Sequence, residues 1–556
     1  MKKILTTAFL VTTLCINAQL KVVSSITPTT NISCTYYVDF INNKFYFQGS
    51  NPSVFGEGVE LFTSDSSQAG TSLVKNINTT SYGSSNPGKF TKLNSSTILF
   101  VATDNVVGRE LWKTDGTLAG TTLVKDIYTG SGSGPFEHFI RMGSNVFFMA
   151  DDGINGRELW KSDGTTSGTQ LVKNINPSGN GMQPPVLMYS PYTAVAGGNL
   201  FFVASNGTTG FELYKTDGSA AGTSIVKDIE VGSSSSNPSN FVVLNDTLYF
   251  TCTTSSDGNE LWKSDGTVAG TVLVKDFNLS LGSSSNPNYI VNLNNTLYFS
   301  ATVANKTTLC KSNGYAVNTV TVFASPNFNS EFCRLTKVDS SIYFFDRSAS
   351  GSPDYSLYKF NLPANNTALI KSALYEGSSG PVYQPTKEKA VALNGMLYFT
   401  FDNFTNGDEL WQSDGTSAGT KLITDIAVGS TTSWIDNLIP IKNGLNSRLY
   451  FTSTQKVGLL YILADLVATD VASLKEQQLD FLLFPNPTSG ILNIAFKTKN
   501  ENPTTLEITN TLGQVILLKT LTNNNTQINI SDFVEGVYYI TLKTDNKTTT
   551  QKLIIN

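Results

Sequence analysis

The chain has 556 residues and a formal net charge of -5, with its Lys and Arg scattered and nowhere gathered into a run. That balance leaves no basic face, which excludes a nucleic-acid partner. One histidine, His138, and five cysteines in such a length exclude zinc sites built on histidine ligands and a disulfide scaffold.

Met1-Lys2-Lys3, the apolar run Ile4 to Cys15 and the small residue Ala18 read as a bacterial-type secretory signal peptide over residues 1–18. The run is too short to span a bilayer, and no later stretch reaches transmembrane length. Leu14 precedes Cys15 where lipidation wants a small residue, so ordinary export is expected, not a lipid anchor. Leu20 to Ile26 reads as a strand with no partner strands before it.

A repeat then organises the chain. Its fullest form is Glu260-Leu261-Trp262-Lys263-Ser264-Asp265-Gly266-Thr267, and it returns at Glu110, Glu158, Glu212 and Glu409 and more loosely at Glu60. Weaker echoes stand at Leu309-Cys310, Leu357-Tyr358 and Leu460-Tyr461. The Glu-equivalent positions are 60, 110, 158, 212, 260, 308, 356, 409 and 459, a period near 50. Each unit carries four short runs rich in Val, Leu, Tyr, Phe and Trp, separated by Gly/Asn/Asp/Ser turns, with no helical period. Leu261 and Trp262 point to opposite faces, so each sheet must be covered on both sides, as stacked blades are. The expected fold is an all-β propeller of four-stranded blades over residues 19–465, nine by repeat count, or eight if one degenerate unit is spliced out. The last unit has three strands and no fourth, and Leu20 to Ile26 supplies the missing one, closing the ring.

Structural roles are expected for the residues that recur in every blade. Trp112, Trp160, Trp262 and Trp411 are read as packing between blades. The Asp-Gly pairs Asp115-Gly116, Asp163-Gly164, Asp265-Gly266 and Asp414-Gly415 are read as turns, and the second glycines (Gly120, Gly168, Gly222, Gly270, Gly419) as further left-handed positions. Glu110, Glu158, Glu260 and Glu409 are scaffold by the same logic, since a catalytic acid is needed once; Glu260 with Lys275, Glu110 with Lys125 and Glu158 with Lys173 are expected to pair across adjacent strands. Asp151, Asp152 and Asn155 make the one calcium candidate, without the acidic third position or the twelfth-position glutamate of an EF-hand loop. His138 is the only residue that could complete a Ser/His/Asp triad, and no Gly-x-Ser-x-Gly elbow accompanies it. Arg109, Arg141, Arg157, Arg334, Arg347 and Arg448 are dispersed, with no suggestion of the arginine cluster a sialidase uses. Cys310 and Cys333 are either bridged or two buried thiols.

Residues 466–480 are polar and read as a linker; from Phe481 the composition changes and the repeat ends. Phe484-Pro485-Asn486-Pro487-Thr488-Ser489-Gly490 opens a small all-β module over residues 481–556, the size of one immunoglobulin-like sandwich. It continues through Leu512-Gly513-Gln514 and Gly536-Val537-Tyr538-Tyr539-Ile540 to Lys552-Leu553-Ile554. These motifs closely resemble the C-terminal sorting domain, type A, of the Bacteroidetes type IX secretion system. The resemblance implies recognition by an outer-membrane translocon and a cargo that ends secreted or anchored on the cell surface. The repeats themselves resemble the Glu-Leu-Trp-x-x-Asp-Gly-Thr proteins of the same bacteria, a family whose name implies no activity. The expectation is an exported propeller with a binding or structural role toward a glycan or protein ligand, without catalytic residues or cofactor. Its rival is an extracellular glycan-active hydrolase or lyase with paired carboxylates at the narrow end of the ring.

Overall fold

The computed structural model describes residues 19–22, 41, 44–50, 58–65, 70–182, 192–327, 330–348, 354–375, 390–464 and 481–555. Short breaks fall at 404, 427–428, 431–432, 434, 444–445, 454–458, 489, 497–503, 511–514, 522, 524 and 545–546. The signal peptide, Cys15, Cys34 and the linker 466–480 therefore lie outside the described residues. The chain forms two compact units, residues 18–464 and, in the C-terminal part, 465–556.

Local sequence makes the blades. In blade 5, Ser239–Leu244, Thr247–Thr254, Gly258–Ser264 and Val272–Lys275 pair antiparallel in chain order. The first hairpin turns on Asn245-Asp246, whose φ angles are 49° and 56°. A two-residue hairpin of this hand needs both central residues left-handed, a conformation that Asn, Asp and Gly tolerate best. The same turn is Gly197-Gly198 in blade 4, Asn294-Asn295 in blade 6 and Asn394-Gly395 in blade 8. Among the described residues nine antiparallel units follow one another, blade 1 with three described strands: blade 1 (45–75), 2 (88–125), 3 (135–173), 4 (194–227), 5 (239–275), 6 (288–324), 7 (331–375), 8 (390–424) and 9 (435–464). Units six, seven and nine, whose repeats are degenerate, each have four strands, unit nine with Gln19–Val22 as its fourth and those of unit seven joined to blade 8 by the single pair Tyr375 and Asp402, so the eight-blade alternative falls. Cys310 pairs with Phe299, and Tyr358 with Phe344, just as Trp262 pairs with Phe250.

Both faces of each sheet are buried. First strands of neighbouring blades touch, which puts them on the inside of the ring, and the interfaces from blade 1 through blade 8 hold apolar clusters, such as Trp112, Phe100 and Leu61 between blades 1 and 2. Gln19–Val22 pairs antiparallel with Leu459–Ala464, with Gln19 opposite Ala464 and Val22 opposite Tyr461. This supplies the fourth strand of blade 9, and the Phe45 and Tyr450 rings meet edge-on at 4.7 Å between blades 1 and 9. The ring is closed by the two ends of its own sequence.

The C-terminal unit is a sandwich. Phe481–Phe484, Ile491–Phe496 and Asn525–Asn529 form one sheet; Val515–Leu521, Thr504–Asn510, Gly536–Thr544 and Lys547–Ile555 form the other, in that order. Phe481, Ile494, Leu506, Ile540, Leu542 and Leu553 share its core.

Candidate functional site

The repeated glutamates do not pair with the lysines. Glu260 is fully buried and turns into the connection to blade 6, where it accepts the backbone N–H and the hydroxyl of Ser285. Glu110 accepts Ile127 N (2.8 Å), Tyr128 N (3.2 Å) and Gly134 N (3.0 Å), and Glu60, Glu212 and Glu409 take equivalent donors in their own connections. Glu158 accepts Asn176 N at 2.9 Å. The carboxylate is thus the anchor of the loop between one blade and the next, and it satisfies donors that would otherwise be buried without partners.

The lysines staple neighbouring blades. Lys125 Nζ donates to Thr169 O (2.8 Å), Lys173 to Thr223 O (2.8 Å) and Lys275 to Thr319 O (2.7 Å), each on the following blade. On the way Lys75, Lys125 and Lys227 pass over the rings of Trp112, Trp160 and Trp262, at 5.6–5.9 Å from the ring centres. A second set missed in the sequence runs parallel: Lys113 reaches Gly164 O, Lys161 reaches Gly218 O and Lys263 reaches Gly314 O. The signal was there, a Lys directly after Trp112, Trp160, Tyr214, Trp262 and Tyr358, but a partner about 50 residues away is invisible to local reasoning. The four tryptophans are buried between blades, and Trp411 Nε1 donates to Phe401 O at 2.9 Å.

The Asp-Gly turns are also self-contained. Asp115 Oδ1 accepts the N–H and hydroxyl of Thr117 (2.8 and 2.7 Å), and the Thr117 hydroxyl accepts Gly120 N at 2.9 Å. Gly116 is left-handed at φ 90°. Gly120 and its counterparts are not; a Cβ there would lie about 2.0 Å from the Asp115 carboxylate, so glycine is required by close approach, not by backbone hand.

Burial and hydrogen bonding drive these two sets of carboxyls in opposite directions. It pushes Glu110, Glu158 and Glu260 up to about 7 against their hydrogen-bond donors, whereas the Thr hydroxyl and N–H hold Asp115, Asp163 and Asp265 below the usual range. A raised folded pKa adds stability that is complete below the ordinary value and disappears as pH rises through about 7; the lowered aspartates add stability that disappears in strong acid. The melting temperature is therefore expected to be several degrees higher at pH 5 than at pH 8, and Glu260→Gln should flatten that slope. A melting curve that rises from pH 5 to pH 8 would contradict this assignment.

Blades 6 and 7 depart from the pattern. Thr308 and Ser356 occupy the glutamate position, and a buried Asp346 appears on the neighbouring strand opposite Ser356. Asp346 accepts the Ser325 hydroxyl at 2.7 Å in the loop joining blades 6 and 7, and burial lifts its carboxyl to about 6. The anchor that blade 6 has lost is supplied by blade 7.

Two rims of the ring remain to carry function. By strand direction, the connections between blades and the turns inside them between second and third strands share one rim; Ser255 N donates to Glu230 Oε2 across it at 2.8 Å. These loops are Ser-, Gly- and Asn-rich, and they expose Tyr82, Val106, Tyr128, Ile154, Val231, Leu279 and Leu281, the last two at 88% and 87%. On the opposite rim a groove of about 310 Å³ lies between blades 2 and 3, lined by Leu93, Asn94, Lys113, Asp115, Asp163 and Thr165 among others.

The remaining candidates are placed as follows. Asp152 Oδ1 accepts Ile154 N and Asn155 N, Asp152 Oδ2 accepts Asn155 Nδ2, and Asp151 Oδ1 accepts Gly153 N. These oxygens are engaged within their own turn, and no group of three such side chains placed to hold a metal occurs among the described residues. His138 lies on Pro135–Met142, and its side chain is outside the described residues. Arg109 and Arg141 bond nearby carbonyls, Arg347 pairs with Glu331 at 3.8 Å, and Arg448 Nη1 reaches Asp65 O at 3.5 Å. Arg334 is buried, donates to Thr400 O at 3.0 Å and covers Phe401 at 4.5 Å. Cys252, Cys310 and Cys333 are buried free thiols, which removes the Cys310–Cys333 bridge.

In the C-terminal sandwich the two ends of the sorting pattern meet. Asn486 Nδ2 donates to Lys552 O (2.7 Å), Asn486 Oδ1 accepts Ile554 N (2.9 Å), and Thr488 N donates to Ile554 O (3.0 Å). Pro485 and Pro487 flank that contact, and Gly490 O accepts Ile530 N at 2.8 Å. Gly536 opens the strand in which Tyr538 is buried, with its hydroxyl on Val534 O. Gly513 lies outside the described residues. The final strand has Leu553 fully buried and one edge covered near its end by the Asn486 segment.

Residues 482–556 match the secretion system C-terminal sorting domain family. No curated protein matches the sequence. Among solved structures the chain is similar to PorZ, an essential surface component of the type-IX secretion system of Porphyromonas gingivalis, at 11% identity and TM-score 0.29, over 94% of this chain and 86% of that one. It is also similar to a prolyl endopeptidase (10%, TM-score 0.35), over 68% of this chain and 54% of that one. An oligogalacturonate lyase of Vibrio parahaemolyticus (12%, TM-score 0.32) is covered over 86% of its length by 58% of this chain. Likeness at this level says nothing of the chemistry. The sorting domain marks the protein for export through the type IX system to the cell surface or the extracellular space, and no helix among the described residues is long and apolar enough to cross a membrane.

Proposed function

We propose that the propeller is a binding module displayed outside the cell, an adhesin or scaffold that engages a glycan or protein through the connection rim of blades 1 to 6. The observation that carries this reading is the composition of that rim, where isolated Tyr, Val, Ile and Leu side chains stand exposed among Ser, Gly and Asn. Antibody loops combine the same ingredients: a few apolar anchors and short adaptable polar side chains. The repeated glutamates support it from the other side, since each is occupied in holding a loop.

The rival, a glycan-active hydrolase or lyase, has one observation in its favour: the groove between blades 2 and 3 brings Asp115 and Asp163 together. Glycoside hydrolysis by a carboxyl pair needs one member kept protonated. Both of these are held below the usual range instead, by their own threonines.

The test replaces Tyr82, Val106, Leu279 and Leu281 together with serine and measures binding to a glycan array and to host extracellular proteins, with hydrolase assays in parallel. Binding is expected to fall at least about tenfold with the melting temperature unchanged, because the side chains are already in water. Undiminished binding, or glycan turnover by the wild type that Asp115→Asn abolishes, would overturn the proposal.

A further inference from the structure

A sheet edge is a row of unpaired N–H and C=O groups, and exported proteins guard such rows with short strands, prolines, charges or a covering loop. The four-stranded sheet of the C-terminal sandwich has two edges, and they are treated differently. Along the end of Lys547–Ile555 the Asn486–Thr488 segment lies as a cover, with three hydrogen bonds to Lys552 and Ile554. Across the sheet, Val515–Leu521 pairs only with Thr504–Asn510 among the described residues. Its sequence, Val-Ile-Leu-Leu-Lys-Thr-Leu, has one charge and no proline. Leu521 is buried, while Val515 is 54% exposed, Ile516 44% and Leu518 64%. Tyr539, two strands away, is also exposed, and Leu518 is paired opposite Glu507 on the intervening strand.

An apolar, seven-residue edge left open among the described residues, in a module that travels outside the cell, is a hazard unless it is used. We infer that Val515–Leu521 is the docking strand of the sorting domain, to which an extended segment of the secretion machinery adds as a further antiparallel strand. Main-chain hydrogen bonds along the edge supply the affinity, and Ile516 and Leu518 supply contacts on the exposed face, as in other strand-addition complexes. The size of the surface identifies the occupant. One added strand of seven residues buries far less than the roughly 1,200–2,000 Å² of a stable interface. A permanent dimer of this chain through the same edge is therefore disfavoured, and a brief contact with a carrier that must let its cargo go is the occupant this area suits. This rests on the C-terminal unit acting as a sorting domain.

The experiment uses the full chain in its native cell, with Ile516→Lys and Leu518→Lys combined. Both positions are already exposed, so melting temperature and protease resistance should match wild type, while the amount at the cell surface should fall at least about tenfold and periplasmic protein accumulate. A control with Ile491→Lys and Val534→Lys, exposed apolar sites away from this edge, should reach the surface normally. Normal delivery of the edge variant, or an equal loss in the control, overturns the docking strand. So does a wild-type dimer in sedimentation that the edge variant dissolves while delivery continues. Deleting residues 481–556 separates the two ideas: if the deleted form still reaches the surface, the sorting reading itself has failed, whereas a stranded deletion beside a normally delivered edge variant defeats the docking strand alone.

Discussion

Trp262→Ala is expected to destabilise the propeller by about 3–5 kcal/mol, the range for removing a large buried aromatic. The indole is buried between blades 4 and 5 against Phe201, Leu213, Phe241 and Phe250. Neighbouring sheets pack through backbones fixed by their own ladders, so the space cannot collapse, and the cost should stand at the upper end for its type. The Lys227 amine, 5.8 Å from the ring centre, loses its aromatic surface as well. Urea unfolding of the full chain, followed by tryptophan-independent circular dichroism, measures the change. A loss below about 1 kcal/mol would show that the blades part easily and that the indole has another role.

Deleting Phe481–Asn556 is expected to leave a folded propeller in the periplasm and none at the surface. The two units divide at residue 465, and the sandwich encloses its own core of Phe481, Leu492, Ile508, Leu542 and Leu553. Fractionation with surface proteolysis reads out location, and circular dichroism of the purified truncation reads out folding. Fusing residues 466–556 to an unrelated exported protein should carry that protein outward. Surface delivery of the truncation in normal amounts would make the sandwich a spacer or a carbohydrate-binding module instead.

The architecture was legible because a propeller repeats its errors as well as its rules. Even where Trp gave way to Cys310, the register opposite Phe299 held, since the hairpins fix the pairing and the side chain only fills space. What the sequence concealed was the partner of every repeated charge. Glu260 and Lys275 lie on adjacent strands, yet Leu261 is the residue opposite Lys275, and one bulge beside it turns the two charges apart. Glu260 then finds a serine 25 residues on, and Lys275 a carbonyl 44 residues on. Contacts at that distance are set by how blades stack, which no local pattern encodes. The anchor at Asp346 was hidden for the same reason: it compensates for a loss in a different blade.

Ring closure bears on time more than on equilibrium. An open array of repeats frays from its terminal units, each of which touches only one neighbour. Here every blade has two neighbours, and the chain runs on from blade to blade except at one seam, closed by the four-residue ladder between Gln19–Val22 and Leu459–Ala464. Unfolding must wait for that ladder to part, so the lifetime of the native ring is a rate set at one seam. Outside the cell no chaperone can rebuild what proteases catch half open. A fold that rarely opens is suited to that setting whatever it binds.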